Sequence, residues 1–213
     1  MLSLPQSTIF NKRIPKQKFY ENIPVSPELK RVFVEQIKSV YWQNKIAPET
    51  VNLAAGQSVQ EIEVLAVQVN QPSLPETVLL QIDRSIPYHI LFLLKYEDKV
   101  QAWIGYKEAS CSGKNAFKVN TYYHTEWMPQ EQLQLQLNGL DLDVVYGSFV
   151  RQIAGEKLQT EVSLKESIEQ DVQRQKLEKE LFQLKKRLAN EKQPAKRFEL
   201  FQRIKKLKNG MQG

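Results

Sequence analysis

Asp83 and the Glu97-Asp98-Lys99 triplet are the residues whose types and spacing come nearest to a catalytic signature. An acid followed at this distance by Glu-x-Lys matches a pattern of metal-dependent nucleases. In that pattern Asp83 and Glu97 would hold Mg²⁺ and Lys99 would position the attacking water. The surrounding residues argue for a plainer use. His89 to Tyr96 is an apolar run, and Lys99 to Lys107 alternates with Val100, Ala102, Ile104 and Tyr106 on one face. Glu97-Asp98 therefore falls at the tip of a β-hairpin, where a polar turn is required anyway. Asp83 is expected near the end of a helix, not on a strand beside them.

Other chemistry-bearing residues have similar bland readings. Glu61 and Glu63 share one face of a strand and could hold a cation with a third acid, but such pairs are more often a solvent face. His89 and His124 lack metal-ligand spacing and read as hydrogen-bonded histidines in or near the core. Cys111 is the only cysteine. Lys114 nearby could lower its pKa, yet a lone loop cysteine is usually incidental. Tyr122, Tyr123, His124 and Trp127, with Lys107, Lys114 and Lys118 near in sequence, could stack bases and hold phosphates, against the simpler reading as core and rim packing. No Gly-rich phosphate loop, nucleophile elbow or Cys-x-x-Cys is present, so no metal and no cofactor is expected.

Positive charge is the stronger signal, because it has a place. Residues 1–150 hold 14 lysines and arginines against 15 acids, whereas residues 151–213 hold 16 against 9. The last third thus carries +7 of a net +6, which points to an acidic partner for that segment. Lys185, Lys186, Arg187, Lys192, Lys196, Arg197, Arg203, Lys205, Lys206 and Lys208 all lie there. A second basic run, Lys12, Arg13, Lys16 and Lys18, sits near the N-terminus. It reads either as a phosphate contact or as a solvated arm strapped across the body.

Residues 1–25, with Pro5, Pro15 and Pro24, read as an extended basic arm anchored by Phe10, Phe19 and Tyr20. Ser26-Pro27-Glu28 opens a helix, and Leu29, Val32, Phe33, Ile37, Val40 and Tyr41 form its stripe. Glu61 to Val69 is a strand. Ser73-Leu74-Pro75-Glu76 reads as a capping box for a helix to about Arg84. The hairpin of residues 87–107 follows as the centre of the fold, then a strand over Ala116–His124. Glu131–Leu137, with alternating leucines, is expected as an edge strand. A helix capped by Asp141 or Asp143 ends at Gly155. Residues 26–155 are thus expected to form an α+β domain, with a mainly antiparallel sheet of four to five strands covered by helices.

Residues 156–213 differ. Ser163-Leu164-Lys165-Glu166 is a capping box, and Leu177, Leu181, Leu184 and Leu188 make a coiled-coil seam of roughly two heptads. The helix over 162–192 should be about 45 Å long. Gln193-Pro194 breaks it, and a second helix offers Phe198, Phe201, Ile204 and Leu207 as its buried side. An antiparallel helical hairpin results, closed on itself or on a second copy as a homodimer.

No apolar run is long enough to cross a bilayer and no signal-peptide layout is visible, so a cytoplasmic protein with no membrane partner is expected.

Three stretches carry a resemblance: Asn11 to Tyr20, Ile82 to His89, and Trp103 to Lys107, together with the Glu191-Lys192-Gln193-Pro194 turn between basic helices. In these the chain resembles a bacterial and archaeal family known as domain of unknown function 4391. The resemblance covers nearly the whole chain and supplies no catalytic residues. It implies a context, since such proteins tend to be encoded beside helicases and DNA methyltransferases in restriction-like or defence islands.

The resulting expectation is a non-enzymatic accessory protein of a DNA-processing system. It would dock on a helicase or methyltransferase and contact nucleic acid without sequence readout through the basic hairpin. A metal-dependent or degenerate nuclease using Asp83, Glu97 and Lys99 is the alternative.

Overall fold

His89 to Tyr96 is apolar on both faces because helices cover both sides of it. In the computed structural model, which describes residues 4–21, 25–109 and 117–210, this strand lies inside a seven-stranded sheet. The chain divides into two compact units, residues 1–155 and 156–213.

In the first unit the strands are β1 (Ile9–Ile14), β2 (Ile37–Ile46), β3 (Ile62–Val69), β4 (His89–Tyr96), β5 (Lys99–Ala109), β6 (Phe117–His124) and β7 (Met128–Pro129). Its helices are α1 (Lys18–Glu21), α2 (Pro27–Gln36), α3 (Pro48–Val51), α4 (Glu76–Ser85) and α5 (Leu142–Ala154). The strand order is β1-β2-β3-β4-β5-β6, with the short β7 also on β5. β3 and β4 run parallel, with Glu63 beside Ile90, and α4 is the crossover that a parallel pair requires. The sheet is therefore mixed and larger than a mainly antiparallel sheet of four or five strands. The strands that the sequence reading did not place are β1 and β2, which the sequence presents as an arm and as the end of a helix, and the two-residue β7.

β2 carries a helix-like pattern for a specific reason. Ile37, Val40, Asn44 and Ile46 are its buried residues, and spacings of three and four mimic a helical stripe. A β-bulge between Ile37 and Ser39 keeps Ile37 and Val40 on one face, with Val69 and Val67, despite their spacing of three; past a second, between Trp42 and Asn44, Asn44 and Ile46 are buried on the opposite face, with Val64 and Ile62. α2 stops at Gln36, after Ser26 Oγ accepts the Leu29 N–H at its start.

The core on one face joins Phe19 of α1, Phe33 of α2 and Val78, Leu79 and Ile82 of α4 to Leu65, Val67, Phe92 and Leu94 of the sheet. The alternate residues Leu91, Leu93, Ala102 and Ile104 are also buried, and they point to the other face, where α5 packs over β5 and β6. The α5 N-cap is Asp141, which accepts the Val144 N–H.

Two further expectations change. α4 begins at Glu76 with Pro75 as its N-cap and no side-chain cap, so Ser73 forms no capping box. Glu131–Leu137 is not a strand. Leu133 and Leu135 do alternate inward, but the Gln152 side chain replaces a ladder. Its Oε1 accepts the Gln136 N–H at 2.8 Å and its Nε2 donates to the Gln136 carbonyl at 2.9 Å. The turn containing Cys111 and Lys114 lies outside the described residues.

The second unit is built from α6 (Leu164–Asn190) and α7 (Pro194–Gly210). Ser163 caps α6 by accepting the Glu166 N–H. Pro194 occupies the first position of α7, where its missing N–H costs nothing. The two helices pack on one another within one chain.

Candidate nucleic-acid interface

The hairpin presents its charge because its apolar seam faces inward. Leu184 of α6 and Ile204 of α7 are buried, while Leu177, Leu181, Leu188 and Leu207 are half-buried. Lys185, Lys186, Arg187, Lys192, Lys196, Arg197, Lys205, Lys206 and Lys208 are exposed. Arg203 is also exposed and reaches Glu180 at 2.7 Å, which fixes the antiparallel register. Phe198 and Phe201 were expected on the buried side. They are instead 63% and 55% exposed, because the close contact of the two helices is already filled by Leu184 and Ile204.

At the turn, Glu191 accepts the N–H groups of Lys192 and Gln193, both at 2.9 Å, and Arg197 donates to the Glu191 carbonyl at 3.0 Å. Those backbone donors, chiefly Gln193, hold the Glu191 carboxyl below its usual range. One side of the helix pair is a cleft of 780 Å³, walled by Lys186, Arg187, Lys196 and Arg203 together with Glu191 and Glu199.

The N-terminal basic run is dispersed by the strand that carries it. Lys16 donates to the carbonyls of Val34 and Ile37 at 2.9 and 2.6 Å, at the end of α2 where carbonyls lack helical partners. Lys12 stands 4.3 Å from the centroid of the Phe10 ring. Arg13 and Lys18 are exposed.

In the body, the nuclease-like residues do not come together. Asp83 pairs with Lys107, at one end of β5, whereas Lys99 begins the same strand. Eight residues of strand separate them by about 26 Å. Glu97 sits in the hairpin turn with a φ of 52°.

Asp83 takes part in a buried network that sequence reasoning missed. Lys107 Nζ lies 2.7 Å from Asp83 Oδ1, with both side chains 1% exposed, and donates to the Tyr88 carbonyl at 2.5 Å. The Tyr122 hydroxyl donates to the other Asp83 oxygen. Burial pushes the Asp83 pKa up, and Lys107 and Tyr122 pull it back. The Lys107 N–H donates to the Tyr146 hydroxyl at 3.1 Å, which in turn donates to the Gly105 carbonyl. The only available signal was parity: Lys107 alternates with Val100, Ala102 and Ile104, so it belongs to the opposite face, beneath α4.

Glu61 and Glu63 are buried rather than solvent-facing. Lys45 lies 3.3 Å from Glu61 and directly across the ladder from Glu63. Burial first, then the neighbouring Glu61, raises the Glu63 carboxyl to about 7. His89 is buried with its ring edge-on to Tyr146, centroids 4.4 Å apart, and burial followed by Lys107 lowers its pKa to about 3. Among the described residues no cluster of three or more acidic, histidine or cysteine side chains is placed to hold a metal.

The aromatic cluster serves packing. Tyr122 and Tyr123 are buried, and His124 stacks on Trp103 at 4.3 Å.

The architecture defines an α+β protein with a mixed sheet and a C-terminal basic helical hairpin. The chain belongs to the family described as domain of unknown function (DUF4391), whose model matches residues 2–211. No curated protein and no solved structure matches it. Among the described residues, no helix is long and apolar enough to cross a membrane.

Proposed function

We propose that this protein is a non-enzymatic, cytoplasmic accessory subunit of a DNA-processing system, whose helical hairpin binds nucleic acid without sequence readout. The observation that carries the reading is the inward seam of Leu184 and Ile204, which leaves the cations of α6 and α7 on the surface. The body supplies a scaffold: its acids are spent on Lys107 and Lys45 rather than gathered around an open cleft. A helicase or DNA methyltransferase is the protein partner that the family resemblance suggests, and the body is the part that docks on it.

Fluorescence anisotropy with a labelled duplex tests the nucleic-acid contact. Neutralisation of roughly five phosphates makes log K fall against log salt with a slope of about −4 to −5 between about 50 and 200 mM. Absence of binding at the low-salt end, or a flat salt response, refutes the reading. Affinity capture from the native host with and without residues 156–213 tests the docking: the body alone should retain the helicase or methyltransferase.

A further inference from the structure

Three phenylalanines stand in solvent on the hairpin. Phe182, Phe198 and Phe201 are 68%, 63% and 55% exposed, although leucines fill the seam a residue or two away. Their positions are not scattered. Phe198 and Phe201, i and i+3 on α7, share a helix face with Cβ atoms about 5–6 Å apart. The antiparallel pairing of Arg203 with Glu180 sets Phe182 level with Phe201, since two steps up α6 match two steps down α7. At about 100° per residue, all three lie on the side of the helix pair opposite the cleft, and none of them lines it.

The charges divide between the two sides in the same way. Glu191 and Glu199 line the cleft, and Glu180 holds Arg203 there. The same helical phase puts Lys185, Arg197, Lys205 and Lys208, all exposed, among the phenylalanines, with Glu178 as the acid on that side. The hairpin therefore has a mixed-charge polar cleft on one face and a cationic aromatic face on the other. A second copy of this face is a poor occupant, because it would bring the same cations together. Duplex DNA meets the cations but buries its bases from the rings. An unpaired strand satisfies both: its phosphates meet the ammonium and guanidinium groups, and its bases stack on the exposed rings.

We propose that the phenylalanine face of α6 and α7 is a binding site for single-stranded nucleic acid, recognised by base stacking on Phe182, Phe198 and Phe201 between Lys185, Arg197, Lys205 and Lys208. This rests on the proposed function and specifies its ligand. Stacking is indifferent to base identity, so the site takes any sequence. It suits a protein placed where a duplex is being opened.

The test compares the full chain with its Phe182→Ala/Phe198→Ala/Phe201→Ala variant, by anisotropy against a labelled oligothymidylate and a labelled duplex. These side chains are exposed, so the fold is retained, and circular dichroism checks this. The wild type should prefer the oligothymidylate. The variant should lose about 10-fold affinity or more for it, from stacking losses of about 5- to 150-fold per base. Duplex affinity and the salt slope should stay unchanged, because no phosphate contact is removed. A variant that binds oligothymidylate as the wild type does, or a wild type that prefers duplex, overturns the strand assignment and leaves the basic hairpin reading intact. Failure to bind either probe overturns both. Sedimentation that finds a wild-type dimer and a monomeric variant overturns it in favour of an interface between copies.

Discussion

Replacing Lys107 with methionine removes one partner of a fully buried ion pair in the body and leaves the hydrocarbon stem in place. Lys107 and Asp83 approach to 2.7 Å with both side chains 1% exposed. Without the ammonium, the Asp83 carboxylate keeps the Tyr122 hydroxyl and no counter-charge, and the Tyr88 carbonyl loses its donor. Breaking a buried pair in this way costs about 3–5 kcal/mol. At about 2–4 °C per kcal/mol for a unit of this size, the midpoint should fall by about 6–20 °C. The loss should shrink in acid. Burial already raises the Asp83 pKa, and removal of Lys107 raises it further, so the folded variant takes up a proton before the unfolded chain does and gains relative stability as pH falls. Asp83→Leu combined with Lys107→Met should recover much of the loss, since a hydrophobic replacement of both partners leaves no uncompensated charge. Thermal and urea unfolding followed by circular dichroism measure all three proteins. A fall of less than about 1 kcal/mol for Lys107→Met, or single-variant losses that simply add in the double variant, would refute the network as a coupled unit.

Two further predictions concern the same body. Glu63, raised to about 7 by burial, binds a proton in the folded state that the unfolded chain releases near 4.5, so it removes stability as pH rises between those values, by at most about 3 kcal/mol. His89, lowered to about 3, acts in the opposite sense and removes stability as pH falls from 6.5. Urea unfolding across pH should show a Glu63→Gln variant gaining on the wild type at neutral pH, and an unchanged difference from pH 4 to pH 8 would exclude the assignment. Asp143 accepts the N–H groups of Gln57, Ser58 and Val59, at 2.7, 3.1 and 2.8 Å. Asp143→Ala should therefore cost about 2–4 kcal/mol and release the 57–59 backbone to hydrogen exchange, and unchanged protection there would show the contact to be dispensable.

Local pattern made several elements legible. Glu97-Asp98 between an apolar run and an alternating run reads first as a turn, and the β4–β5 register places it there, with Tyr96 opposite Lys99. Ser26 and Ser163 each accept the N–H three residues on, as their positions before Pro27-Glu28 and ahead of Glu166 require. The break at Gln193-Pro194 and the leucine spacing on α6 sufficed for a two-helix unit. Where pattern misled, a non-local event had altered its meaning. A bulge after Ile37 set Ile37 and Val40 three apart on one face of a strand, an apparent helix stripe, and a glutamine from α5 stood in for the ladder partner of Gln136.

The sequence by itself determined the elements with strong local signals, the charge asymmetry and the separation of a basic helical segment from the body, because caps, turns, periodicity and charge are properties of neighbouring residues. Only the tertiary structure decided what the charged and aromatic side chains do. Asp83 reads as a candidate metal ligand until Lys107, twenty-four residues on, is brought against it by the crossover of α4. Phe198 and Phe201 read as core until Leu184 and Ile204 occupy the space between the helices. Burial and pairing are set by which distant surfaces meet, and a single chain of residue types does not carry that information.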